Sequence, residues 1–244
     1  MEIFLQLLLF LMVFSLAHPG PLKSRIIGGH EAAPHSRPYM AALKSQDDFT
    51  CGGFLVAPQW VMSAAHCMDE VTVVLGAHDL HAVEESQQVL GVESYHMHPA
   101  YNPITVTHDI LLLKLIHPAK LNKYVQVIPL PRSNSDLPDG TLCTTSGWGM
   151  IDRLVRSYKL FETNITIYNR RKCAKLYPEL DDAMICAGSF NQLRDTSQGD
   201  SGGPMVCNGI VHGIVSFGNS FPPGVYSRIA DFLPWIKHIM GSEV

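Results

Sequence analysis

Past an apolar stretch at its start, the chain of 244 residues breaks into short hydrophobic runs separated by turn residues. GGFLVAPQWVMSAAHC, VTVVLG, DILLLKL, NITIYN, PMVCNGIVHGIVSFG and GVYSRI are each bounded by Gly, Pro, Asn or Asp. Runs of this length between turn formers predict the strands of a sandwich or barrel. The C-terminal end is the exception. There Ile229, Phe232, Leu233, Ile236 and Met240 recur at helical spacing and predict one amphipathic helix. Pro234 fits that helix only near its start, where a missing N–H leaves no bond unmade.

A chain this long can bury one large core or two smaller ones. LNKYVQVIPLPRSNSDLPDG, residues 121–140, is the best linker and leaves two nearly equal halves, about 26–120 and 141–244. No sequence repeat relates the halves. The opening MEIFLQLLLFLMVFSLA is too short for a membrane span and ends on the small residues Ser15 and Ala17. It predicts a signal peptide over residues 1–17, although it carries Glu2 where a positive charge is usual. HPGPLKSR, residues 18–25, then reads as a propeptide, and a tryptic-type cut after Arg25 would expose Ile26 as a new amino terminus.

Composition narrows the class. With 46% hydrophobic and 16% charged residues the chain is globular, and a net charge of -4 without blocks of like charge argues against nucleic-acid binding. No later apolar run is long enough to cross a bilayer, so no membrane partner is expected and the chain is placed outside the cell or in a secretory granule. In that oxidising setting Cys51, Cys67, Cys143, Cys173, Cys186 and Cys207 predict disulfides and not a zinc site, since none forms a C-x-x-C pair. Fifteen pairings are possible, and spacing does not choose among them. His96 and His98 in YHMHP lack a third ligand at recognisable spacing, so neither metal nor cofactor is expected. Asn164 in NIT is a glycosylation sequon.

The chemistry lies around Ser201. GDSGG fits G-x-S-x-G, which an α/β-hydrolase uses as an elbow with its acid and histidine downstream. Too little chain follows Ser201 for the rest of that fold. Upstream, SAAHC offers His66 and HDILLLKL offers Asp109, which gives the order His, Asp, Ser.

Taken together, IIGG, SAAHC, DILLLKL, SGWG, QGDSGGP, SFG and PGVY resemble, in order and spacing, the chymotrypsin-like (trypsin-fold) serine proteases. PHSRPYMA further resembles the granzyme and mast-cell protease branch. The resemblance spans nearly everything from Ile26 onward. It implies an all-β fold of two packed six-stranded antiparallel β-barrels with a C-terminal helix and an active site between the barrels. Ser201 would attack the scissile carbonyl, His66 would take its proton, and Asp109 would orient His66 with help from Ser216. Backbone N–H groups of Gly199 and Ser201 would form the oxyanion hole.

The two aspartates near Ser201 receive different roles. Asp200 would pair with the α-ammonium of Ile26 once Arg25 is cut, ordering the oxyanion loop and making the uncut chain a zymogen. Asp195 would lie at the floor of the primary specificity pocket, beside Thr196 and between the bare walls Gly218 and Gly224, and would select Lys or Arg. Two departures from trypsins bear on this. Ser197 stands where they have a cysteine, and SFGNSFPPGVY lacks its partner. The alternative is therefore a chymase-like or granzyme-like preference; a further alternative is an inactive binding homologue, against which all three triad residues stand.

The resemblance also implies the disulfides Cys51–Cys67, Cys143–Cys207 and Cys173–Cys186. It implies no calcium site, because Ala77 and Gln87 replace two glutamates of the trypsin loop. Protein or peptide substrates, serpins or other inhibitors, and an activating protease acting at Arg25 are the partners it implies. The net charge of -4 does not favour storage on acidic granule proteoglycans, and LKSR is unlike the dipeptide pro-segments common in that branch.

Overall fold

The structure is a computed structural model and describes residues 29–152, 155–189, 199–219 and 222–241. The leader, Arg25, Ile26, Asp195 and Thr196 lie outside the described residues.

After the short strand β1 (His30–Glu31), six strands close the first barrel: β2 (Met40–Ser45), β3 (Asp48–Ala57), β4 (Trp60–Ser63), β5 (Thr72–Leu75), β6 (Gln88–Met97) and β7 (Leu111–Leu115). Their order round the barrel is β2-β3-β4-β7-β6-β5, and every pairing is antiparallel. WVMS and LLLKL lose their alternation because almost every residue of β4 and β7 is buried, inside the barrel or beneath the neighbouring chain. β6 is mostly half-buried, and its Glu93, Ser94 and His96 interrupt any apolar run.

The second barrel is built from β8 (Leu142–Gly147), β11 (Phe161–Ile167), β12 (Met184–Gly188), β13 (Pro204–Cys207), β14 (Ile210–Gly218) and β15 (Gly224–Arg228), with β9 (Met150–Asp152) and β10 (Val155–Arg156) forming a separate hairpin. Pairing of β8 with β11 closes it, and β1 adds to β11 through His30↔Glu162 and Glu31↔Phe161. The segment between the barrels is not loose. Gln126 and Ile128 donate their N–H groups to Pro38 and Leu55 of the first barrel, and Val211 of the second donates to Pro129.

The C-terminal pattern folds as two pieces. Ile229–Phe232 winds as a 3-10 turn, and the α-helix proper is Leu233–Met240 with Pro234 in its first turn. Ile229, Phe232, Ile236 and Met240 are buried in the same cluster as Leu43, Phe54 and Leu111 of the first barrel. The end of the chain thus clamps the two halves together. Three disulfides join Cys51 to Cys67, Cys143 to Cys207 and Cys173 to Cys186, and no cysteine is left free.

Candidate active site

His66 is delivered by a short rigid connection. β4 ends at Ser63, the buried Ala64 and Ala65 turn the chain, and Ala65–Cys67 forms a 3-10 turn whose last residue is bridged to Cys51 on β3. Small residues are needed because both alanines are buried against the barrel. The His66 side chain keeps 29% of its surface, while Asp109 keeps none. Nδ1 of His66 lies 2.7 Å from Oδ2 of Asp109, and the His66 backbone N–H donates to Oδ1 at 2.9 Å. One carboxylate therefore fixes both the ring and the turn that bears it. A proton on Nδ1 satisfies that contact and leaves Nε2 as an acceptor, the form a general base requires.

The second barrel holds Asp109 from the other side. Ser216 Oγ on β14 donates to Oδ2 at 2.5 Å, and Ser227 Oγ on β15 donates to the Asp109 carbonyl at 2.7 Å. Ser227 was not apparent from the sequence; it acts on a main-chain oxygen, which leaves no motif.

The loop bearing Ser201 is wedged between the barrels. Its carbonyl accepts the Gly52 N–H of β3 at 2.8 Å, and Gly202 donates its N–H to Val215 on β14 at 2.9 Å. Gly202 has φ of +78°, and a Cβ there would stand 2.2 Å from Ser63 Oγ, 2.4 Å from the Gly52 carbonyl and 3.1 Å from the Ala64 nitrogen. The loop is thus pressed against the strand end that leads into His66, and bonded to the residue preceding Ser216. Ser201 itself is half-exposed.

Gly199 also needs its missing side chain. Its φ is +93°, and a Cβ would come within 3.0 Å of the Gly149 Cα and 3.5 Å of Phe49. Asp200 is 1% exposed, and its Oδ1 accepts the Gly149 N–H at 3.0 Å. A Cβ on Gly147 or Gly149 would lie 2.2 or 2.6 Å from that carboxyl group. The glycines of SGWG, quoted above for likeness only, form its cradle.

Gly218 and Gly224 face each other across β14 and β15, with the Gly224 Cα 3.2 Å from where a Gly218 Cβ would be. Behind them the buried Tyr177 donates its hydroxyl to the Pro223 carbonyl at 2.8 Å and accepts the Asn219 N–H at 3.0 Å. Sequence reasoning missed Tyr177; the Cys173–Cys186 bridge beside it was the available signal.

Two further sites were weighed in the sequence. Asn164 is exposed on β11. In the loop after β5, Gln87 Nε2 donates to the Asp79 and Ala82 carbonyls and to Glu84 Oε2 at 3.1 to 3.2 Å. The Gln87 amide thus engages three oxygens of this loop as a donor. Among the described residues the one group with three metal-capable side chains is Cys51, Cys67 and His66, and its sulfurs are spent in a disulfide.

Residues 26–236 match the family model described as Trypsin. The chain is 41% identical over 242 residues to mast cell protease 3 of Ovis aries, covering 96% of each. It is 40% identical over 245 residues to cathepsin G of Homo sapiens, covering 98% of this chain and 96% of that protein. A solved structure of neuropsin, a serine protease expressed in the limbic system of mouse brain, aligns with a TM-score of 0.82 at 38% identity, over 87% of this chain and 98% of that one. Fold, sequence and the barrel-to-barrel seam around Asp109 agree: the chain belongs to the trypsin family of serine proteases.

Proposed function

We propose that the chain is a secreted serine endopeptidase, made as a zymogen, in which His66, Asp109 and Ser201 hydrolyse peptide bonds. The observation that carries this reading is the bonded sequence from His66 through Asp109 to Ser216, with the Ser201 loop anchored on Gly52 and Val215 on either side of it. In this mechanism Nε2 of His66 takes the Ser201 proton as Oγ attacks the carbonyl carbon. The Gly199 and Ser201 N–H groups stabilise the oxyanion, and His66 then returns the proton to the leaving amine. Water repeats the cycle on the acyl-enzyme.

Residues 1–17 serve as signal peptide and 18–25 as propeptide, and the mature domain is 26–244. Cleavage after Arg25 frees the Ile26 ammonium to pair with Asp200 in the glycine cradle. An exposed Asn164 suits a surface glycan. Protein substrates, protein inhibitors and an activating protease follow as partners.

For specificity the reading is cleavage after Lys or Arg, with Asp195 at the pocket floor, Thr196 beside it and the bare walls of Gly218 and Gly224 admitting a long side chain. A second reading has a specific ground. Ser197 and the cysteine-free segment before β15 match the branch that includes mast cell protease 3 and cathepsin G, in which an aromatic or other preference is an alternative. Peptide esters differing only at the residue before the scissile bond decide it. After controlled cleavage at Arg25, kcat/KM is expected to favour Arg over Phe; faster turnover of Phe overturns the basic pocket.

A further inference from the structure

His108, immediately before Asp109, has φ of +54°, in the left-handed region that few residues other than glycine adopt without support. Its ring stacks on His98 with centroids 5.2 Å and planes 18° apart. Phe232 meets both rings edge-on, at 5.9 Å from His108 and 5.3 Å from His98, and Trp235 meets His98 at 5.1 Å. The main chain ties this stack to Asp109. The His108 carbonyl accepts the Ile110 N–H at 2.9 Å, which makes Asp109 the middle of a three-residue turn. The His98 N–H donates to the Ile110 carbonyl at 3.2 Å and pins the far end of that turn.

We propose that His108, stacked on His98, is a positioning residue for Asp109, and that protonation of His98 loosens the stack, releases the turn and disables the triad in acid. This rests on the reading of Asp109 as the triad acid. His98 Nδ1 accepts the Ala100 N–H at 3.2 Å, a bond that protonating that nitrogen destroys. Nδ1 of His108 is buried without a hydrogen-bond partner, so no hydrogen bond from that nitrogen holds the ring in place of the stack.

Burial, and then the neighbouring His108, hold the His98 ring below its ordinary value of 6.5. The sign follows: the neutral ring is favoured in the folded chain, so its contribution is complete above 6.5 and is lost as pH falls toward the lowered value.

The other ionisable groups on the elements packed here do not offset this. Tyr101, raised by burial and by Asp109, stays neutral in acid. Asp109 is engaged by His66 and Ser216, and Asp231 by Arg228 and Asn134. His96 shares a hydrogen bond with Ser94, and Lys237 and His238 are exposed.

The test follows kcat/KM of the full chain, cleaved after Arg25, from about pH 8 down to about pH 4.5, each variant normalised to its own plateau. The wild-type acid limb is expected to be steeper than the log–log slope of about 1 that a single general base gives, because His98 also takes up a proton. His98→Phe keeps a stacking ring without a titrating nitrogen, and its limb is expected to relax to a slope of about 1. His108→Asn tolerates the left-handed backbone but loses the stack, and is expected to lower kcat about tenfold with KM little changed. A wild-type slope of one shared by His98→Phe, or variants that lose thermal stability alone, overturns the proposal. The proton between His66 and Asp109, followed by NMR against pH, reads the same turn without turnover. Failure of Ser201 to react with a fluorophosphonate at neutral pH therefore refutes the triad reading, while this signal still decides the present one: an acid-induced loss that His98→Phe abolishes supports it, and unchanged behaviour sinks it.

Discussion

Asp109 shows how much one side chain organises. Fully buried, it accepts from the His66 ring, the His66 main chain and Ser216, while its own carbonyl accepts from Ser227. An amide in its place can still fill the space, but its NH2 group donates to Nδ1 of His66 and drives the ring into the tautomer with the proton on Nε2. Asp109→Asn is therefore expected to lower kcat by about 10⁴-fold with a far smaller change in KM, measured on a peptide ester at neutral pH. Residues of this kind were legible in the sequence when they stood in a spaced motif, as His66, Asp109 and Ser201 do. Ser227 and Tyr177 were not, because each acts through main-chain groups that any neighbouring residue could offer.

Among the elements, the β3–β4 hairpin and the turn after it do most to aim His66. The Cys51–Cys67 bridge closes a loop with a sequence separation of 16 around them. Replacing both cysteines by serine is expected to cost about 2–5 kcal/mol in denaturant unfolding. Activity at temperatures where the variant remains folded should fall as well, since His66, the proposed general base, loses one of its two anchors; full activity in the folded variant would mean that Asp109 alone aims the ring. Strands buried on most positions, such as β4 and β7, announced themselves as apolar runs. β8 did not: LCTTSG is polar by composition, yet Thr145 and Ser146 are 1% and 2% exposed because the second barrel closes over them. The C-terminal pattern gave the buried face correctly and the start of the α-helix one turn early. Spacing of three or four residues does not distinguish a 3-10 turn from an α-helix, and Pro234 in the first turn of the helix was the better marker.

The whole molecule makes a site that neither half holds. The first barrel presents His66 and Asp109; the second carries Ser201, Ser216 and Ser227, and the C-terminal helix packs back on the first. Composition alone left one core or two open; the two barrels were legible because the motifs resemble a family built that way. The depth of the seam was not, since hydrogen bonds such as Gly52 to Ser201 join residues far apart in the chain. The same geometry gives Asp200 its importance: a carboxyl group 1% exposed, in a cradle that admits no side chain on Gly147 or Gly149, is the seat proposed for the Ile26 ammonium. The most direct test is reaction of Ser201 with a labelled fluorophosphonate before and after cleavage at Arg25, with the labelled peptide identified by mass spectrometry. The account predicts strong labelling at Ser201 in the cleaved chain, abolished by His66→Ala, and little in the uncut chain. A cleaved, folded chain that leaves Ser201 unlabelled contradicts it.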